Sequence, residues 1–327
     1  MKQATSASIL VIRLGAMGDI IHALPAVASL KKSFPRNRLA WLIAPRWTPL
    51  LEGNPFVDEL IPFERGGVAA LRDSWRRLRS LKPDLAFDFQ GLVQSALSGR
   101  AAKPKCFFGF DQSVARERMA SVFYTHRIAV SGPHRVERNL QLVEAAGASE
   151  LTDQAWIPFG RDEGSLPSGP FVLTNPFAGW KSKQWPIEYY DTLAQRLQRE
   201  GLQLVANVSE QHAGELADLK HVRIHTSSLL GLIAATRQAT AVLGLDSGPL
   251  HLAAALSKPG VALFGLTDPL RTGPYGGRMT VLRVDDTATT YKRHDSIHAS
   301  MKAILPEQVA EALLASIANH AVLKTLR

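Results

Sequence analysis

The chain is predicted to be an α/β protein built of two doubly wound, parallel-sheet domains. Short β-branched runs alternate with helical segments along its 327 residues, the pattern of strands covered by helices on both faces. One Gly-, Pro- and Ser-rich stretch, Gly160–Pro170, interrupts the alternation, which then resumes. The chain is long enough for about two domains, and its 46% hydrophobic content can supply two cores.

In the first half, Ser8–Leu14, Arg38–Ile43, Leu60–Phe63, Asp84–Phe89 and Cys106–Phe110 read as strands. Helices are expected at Ile20–Phe34, Ala69–Leu81 and Gln94–Ala101, with Pro25 kinking or restarting the first. The first domain is placed at residues 8–160. After the linker come strands at Phe171–Asn175, Leu202–Val208, Arg223–His225, Ala241–Leu245, Val261–Phe264 and Thr280–Val284. Helices are expected at Ile187–Glu200, Gln211–Leu219, Leu229–Ala239, Pro249–Leu256 and Pro306–Asn319. The second domain is placed at 171–305. Ligands of such sheets bind beyond the carboxyl ends of the strands, which puts the expected cleft between the domains.

Composition excludes several classes. One cysteine, Cys106, excludes an intramolecular disulfide framework and a Cys-rich zinc site. No apolar run reaches the ~18 residues of a membrane span. Arg13 and Asp19 interrupt the apolar N-terminal run, against a secretory signal and for a cytoplasmic protein. The net charge of +9 favours anionic partners, and the first 165 residues carry an excess of six cations against three in the remainder. No nucleic-acid-binding motif accompanies that charge, so no nucleic-acid partner is expected. No G-x-S-x-G elbow is present, and His294 and His298 lack metal-ligand spacing.

Four segments carry candidate chemistry. Gly15-Ala16-Met17-Gly18-Asp19 follows the first strand, and its glycine spacing fits neither the dinucleotide fingerprint nor a P-loop. Asp19 is then either a helix cap or a general base facing the crevice. Asn175–Pro186 (NPFAGWKSKQWP) puts Lys181 and Lys183 between Trp180 and Trp185 ahead of a helix, either as a phosphate cradle or as solvated lysines around an aromatic cluster. Asp246-Ser247-Gly248-Pro249-Leu250-His251 follows an apolar strand and opens a helix, an anion site with a carboxylate beside it; alternatively Asp246 or Ser247 only caps and His251 is a core histidine. Two such cradles in one domain favour a pyrophosphate ligand. Arg72–Lys82 (RDSWRRLRSLK) sets five cations against one acid, either a solvated helix face or a contact for an anionic acceptor or lipid surface.

Together, Ile9–Pro25 (ILVIRLGAMGDIIHALP), His134–Asn139 (HRVERN), Asn175–Pro186 and Asp246–Leu256 (DSGPLHLAAAL) resemble the ADP-heptose:lipopolysaccharide heptosyltransferases of Gram-negative bacteria, type I in particular. Tyr189, Tyr190 and Gly265–Pro269 (GLTDP) also fit that pattern. The resemblance implies a GT-B fold, two Rossmann-like domains with the acceptor on the first and the nucleotide sugar on the second. It also implies that the terminal helix, 306–327, packs back on the first domain.

The resemblance further implies an inverting transfer of heptose from ADP-L-glycero-D-manno-heptose to the Kdo inner core on lipid A, at the cytoplasmic face of the inner membrane, with no metal or cofactor. Asp19 would be the base. Lys183 would bind the donor phosphates; Asp246, Ser247, Gly248 and His251 would hold sugar and phosphate; Glu210 would contact the ribose. Arg13 and Arg116 would contact the acceptor. Arg13 stands where a lysine is usual, and Ala178 and Gly179 stand where some members carry hydroxyl residues, leaving backbone N–H groups to serve the donor there. The alternatives are transfer to a first heptose, a nucleotide-sugar epimerase or hydrolase, and a non-catalytic nucleotide-sugar binding protein.

Overall fold

The computed structural model describes residues 7–64 and 67–325, with the side chains of 67–73 and 323–325 outside that description. Arg72 of the basic segment and residues 326–327 of the expected terminal helix therefore lie outside the described side chains. The chain divides into two compact units, Met1–Pro158 and Phe159–Arg327.

The first unit runs β1 (Ser8–Ile12), α1 (Met17–Ser33), β2 (Arg38–Ile43), β3 (Glu59–Pro62), α2 (Gly67–Leu81), β4 (Leu85–Asp88), α3 (Val93–Ala101), β5 (Cys106–Phe110), β6 (His126–Ile128) and α4 (Arg135–Glu144). Single 3-10 segments, Pro45–Leu51 and Arg118–Phe123, fill two of the connections. The sheet is wholly parallel in the order β3-β2-β1-β4-β5-β6, with Ile12 opposite Asp88 at the β1–β4 register. The central strands are apolar because both faces are covered: Leu10, Ile12, Leu42, Ala86 and Phe107 are buried.

The second unit runs β7 (Phe171–Thr174), α5 (Ile187–Gln198), β8 (Gln203–Val208), α6 (Glu210–Ala213), β9 (Val222–Thr226), α7 (Leu229–Gln238), β10 (Ala241–Leu245), α8 (Gly248–Ala255), β11 (Gly260–Phe264), α9 (Pro269–Thr272), β12 (Met279–Arg283), α10 (Ala299–Lys302) and α11 (Pro306–Thr325). Its sheet, again wholly parallel, is ordered β12-β11-β10-β7-β8-β9. Counted within each unit, both sheets have the order 3-2-1-4-5-6. In that order the strand sequence reverses between the first and fourth strands, opening a crevice at their carboxyl ends.

Three expectations are corrected. Helix α1 runs unbroken through Pro25, because nearly every residue from Ile20 to Leu30 is buried and packing outweighs one lost hydrogen bond. The helix expected at Gln211–Leu219 breaks after Ala213 into a 3-10 turn, Gly214–Leu216, glycine being a poor helix interior. The stretch after Phe110 was read without structure, yet holds β6 and α4; β6 is three residues long, and α4 is too polar to announce itself by apolar runs. For helix α11, expected to pack back on the first domain, the described packing lies within the second unit. Val309, Ala310 and Leu313 are buried in the second unit's core with Trp185, Leu193 and Leu197.

The Gly160–Pro170 stretch has no regular structure but is held along α7. Arg161 N–H donates to the Leu230 carbonyl at 3.1 Å, and the Gln238 amide donates to Asp162 at 2.7 Å. Glu163 accepts from both the Ser228 amide and its hydroxyl at 2.7 Å. Among the described residues no helix is long and apolar enough to cross a membrane.

Candidate functional site

In the first unit, the loops after β1 and β4 meet at the crevice between those strands. Arg13 follows β1 and is 2% exposed. Its Nη1 donates to the Phe89 carbonyl at 2.7 Å, and its Nη2 is ion-paired with Asp19. Burial pulls the Arg13 guanidinium below its usual range, with the Asp19 carboxylate opposing that pull. The Leu14 amide donates to Gln90 Oε1 at 2.8 Å, and Trp41 Nε1 donates to the Arg13 carbonyl at 3.1 Å. Both ends of the residue are thereby anchored before the chain turns into α1.

Asp19 lies in the first turn of α1, where the cap position is Ala16 and makes no side-chain bond. The capping alternative thus does not describe it, although a carboxylate in that turn still complements the helix dipole. A second cation, Arg135, reaches Asp19 Oδ1 at 2.8 Å. Arg135 opens α4, which His134 caps by accepting from the Val136 amide at 3.1 Å, with Glu137 accepting in return from the His134 amide. Asn139 donates to the His22 carbonyl at 2.9 Å, tying α4 to α1, and the His22 and His134 rings meet edge to face at 5.1 Å. Sequence reasoning quoted this HRVERN stretch without assigning Arg135; the motif itself was the available signal.

Arg116 is exposed in the loop after β5. That loop is clipped to the one after β4: the Glu117 amide donates to the Gly91 carbonyl at 2.9 Å, and the Val93 amide donates to Glu117 Oε2 at 2.7 Å. Gly91, at φ +67°, leaves room for the Arg116 backbone, which a Cβ there would approach to 3.2 Å. Arg116 therefore sits at the same strand-end edge as Asp19, without contacting it in the described hydrogen bonds or ion pairs.

In the second unit the equivalent crevice, between β7 and β10, holds the other cluster. Lys183 ends a one-turn 3-10 segment in the loop after β7, and Asp246 follows β10. Lys183 Nζ lies 2.5 Å from Asp246 Oδ2 and 4.5 Å over the Trp180 ring. Thr267, in the loop after β11, donates to the same Oδ2 at 2.6 Å, and His251 Nε2 stands 4.0 Å from Oδ1. Ser247 and Gly248 open α8 at that point. Thr267 was not singled out, although it lies in the GLTDP stretch. Trp185 turns away into the core and donates to the Ile304 carbonyl at 2.9 Å, whereas Trp180 stays by the lysine; Lys181 is exposed. Glu210 opens α6 after β8, adjacent to β7, and borders a cavity of about 450 Å³ with Gln211, Thr226 and Ser228. It follows the strand next to β7, on the side away from β10, and no described hydrogen bond or ion pair joins it to Lys183 or Asp246.

Two wholly parallel units, each with its polar cluster at a strand-order reversal, define the class of doubly wound α/β proteins with ligand crevices at the strand ends. The comparisons make that class specific. A structure of Escherichia coli heptosyltransferase WaaC with ADP superposes at a TM-score of 0.77, with 24% identity over 94% of this chain and 99% of that one. E. coli ADP-heptose lps heptosyltransferase II superposes at 0.78, with 25% identity over 96% and 99%. Lipopolysaccharide heptosyltransferase 1 of Pseudomonas aeruginosa is 32% identical over 289 residues, 82% of this chain and 81% of that protein. The model of glycosyltransferase family 9 (heptosyltransferase) matches residues 71–301, and the chain belongs to that family.

Proposed function

We propose that the protein transfers heptose from ADP-L-glycero-D-manno-heptose to the Kdo inner core of lipopolysaccharide, with inversion at the anomeric carbon. The observation that carries this reading is Asp19, a carboxylate held at the crevice of the first sheet by Arg13 and Arg135. Two cations flank it, and a carboxylate fixed at the crevice is placed to accept a proton. In the proposed step the acceptor hydroxyl gives its proton to Asp19 as its oxygen attacks the anomeric carbon, and the bond to the ADP oxygen breaks. Lys183 and the α8 N-terminus at Ser247–Gly248 take up the charge on the departing diphosphate. Asp246 orients Lys183 and, with His251, contacts the sugar, while Glu210 contacts the ribose. Arg13 and Arg116, joined by Arg135, face the acceptor carboxylates and phosphates.

The Pseudomonas aeruginosa relative is a heptosyltransferase 1, which supports Kdo over a first heptose as acceptor. The basic α2 surface supports a peripheral seat on the anionic inner face of the inner membrane. The test is to incubate the protein with ADP-heptose and, separately, Kdo-lipid A and heptosyl-Kdo-lipid A. Mass spectrometry should show a heptose added to the first. Addition only to the second would move the chain to the other acceptor class. Loss of ADP-heptose without either acceptor would favour a hydrolase or epimerase.

A further inference from the structure

We propose that Asp88 is a positioning residue for the Arg13–Asp19 pair, acting through the Phe89–Gly91 turn. The inference rests on the reading of Asp19 as the base. Asp88 ends β4 with no exposed surface. Its Oδ1 accepts from the Gln90 amide at 2.8 Å and the Gly91 amide at 3.2 Å; its Oδ2 accepts from the Ser95 hydroxyl at 2.7 Å and the Tyr124 hydroxyl at 2.8 Å. Four donors fill the four lone-pair sites of a carboxylate. The turn they fix presents the Phe89 carbonyl to Arg13 Nη1 and the Gln90 side chain to the Leu14 amide.

Holding a carboxylate there is costly. Burial pushes the Asp88 carboxyl above the ordinary carboxylate range, against all four donors, and burial with the Asp88 charge pushes the Tyr124 phenol up as well. A well-packed apolar side chain often serves stability as well as a buried charge network or better. The network has a local beneficiary: its two outputs both end on residues 13 and 14, next to the Asp19 helix. Tyr124 is itself set by packing, since a Cβ on Gly109 would fall 2.3 Å from its ring.

The groups facing Asp19 are Arg13 at the end of β1 and Arg135 at the head of α4; His22 lies one turn along α1 against His134, and Asp88 acts on Arg13 across the strand ends. Loosening Arg13 should therefore misplace the Asp19 carboxylate. Tyr124→Phe, which keeps the ring, is the main variant and Asp88→Asn the stronger one. Steady-state transfer is measured against pH, with melting temperature and ADP affinity, alongside Asp19→Asn and the Asp19→Asn/Tyr124→Phe double variant.

Tyr124→Phe should lower kcat by about 10- to 100-fold, the scale of a sub-ångström to 1 Å misplacement, with donor KM and ADP affinity unchanged. The double variant should be no slower than Asp19→Asn alone. An inactive Asp19→Asn beside a Tyr124→Phe profile superimposable on the parent would overturn the positioning role alone. Losses that multiply in the double variant would overturn it too. An Asp19→Asn enzyme with parental turnover would overturn the base reading, and this inference with it.

Discussion

Asp19 is held by two arginines of unequal character: Arg13 is buried, and Arg135 is partly open to solvent. Asp19→Asn should lower turnover by about 100-fold or more, the upper range for removing a general base. It should also lower the melting temperature, because Arg13 keeps its charge in a buried site after losing the anion. ADP titration separates the two effects, since the second unit does not depend on that pair. Lys183→Ala should weaken ADP binding by about 1.5–3 kcal/mol, the range for a charge-assisted hydrogen bond. Calorimetry checks it, and unchanged affinity would place the diphosphate elsewhere. Gly179 has open space at its Cβ position, so Gly179→Ser should leave the melting temperature unchanged. The same space is where a hydroxyl could stand near the lysine loop.

At the scale of the element, the central strands were legible because each is a short apolar run buried on both faces; Arg38–Ile43, Cys106–Phe110 and Ala241–Leu245 form over the predicted residues. Less legible were connections whose structure comes from side-chain bonds. Helix α4 announces itself only through a capping box, and Arg135 gains a partner 116 positions away in the sequence. That Lys183 would meet Asp246 was equally hidden, since it follows from β7 and β10 being neighbours, a fact of strand order. The stretch after Pro158 read as a linker by composition, yet Glu163 fastens it to α7. Hydrogen bonds from the Ser228 hydroxyl and amide hold the Glu163 carboxyl below its usual range against a small desolvation. A depressed acid stabilises the fold above its unfolded pKa and loses that contribution as pH falls through its folded value. Denaturant midpoints should therefore show Glu163→Gln less stable than the parent at pH 7, with the gap closing towards pH 3.

For the whole molecule, charge is the property that no single site explains. Helix α2 exposes Arg76, Arg77 and Arg79, with Lys82 exposed just past its end and Arg77 also paired to Glu59 at 2.8 Å. Leu78, with no exposed surface, anchors the helix from the other side, worth roughly 1.5–3 kcal/mol for a fully buried leucine. If that face meets an anionic bilayer, each cation contributes about 1 kcal/mol, weakening with salt. Vesicle sedimentation at low salt should show Arg76→Glu/Arg77→Glu/Arg79→Glu losing binding to anionic vesicles while retaining ADP affinity. Equal sedimentation of variant and parent would leave the helix as ordinary surface.

Helix α11 ends the chain inside the core of the second unit, and this has a consequence for biosynthesis. The polypeptide passes from one unit to the other only once, after Pro158. No described strand or core helix of the first half waits for the C-terminus to be made. A nascent chain can therefore complete the first unit, with its Arg13–Asp19–Arg135 cluster, while the second is still being translated. Ribosome-bound chains halted far enough past codon 158 for the first unit to have left the ribosome should already resist protease over residues 7–158. Chains halted at codon 305 should not yet protect the second unit, because the helix that closes its core has still to be synthesised.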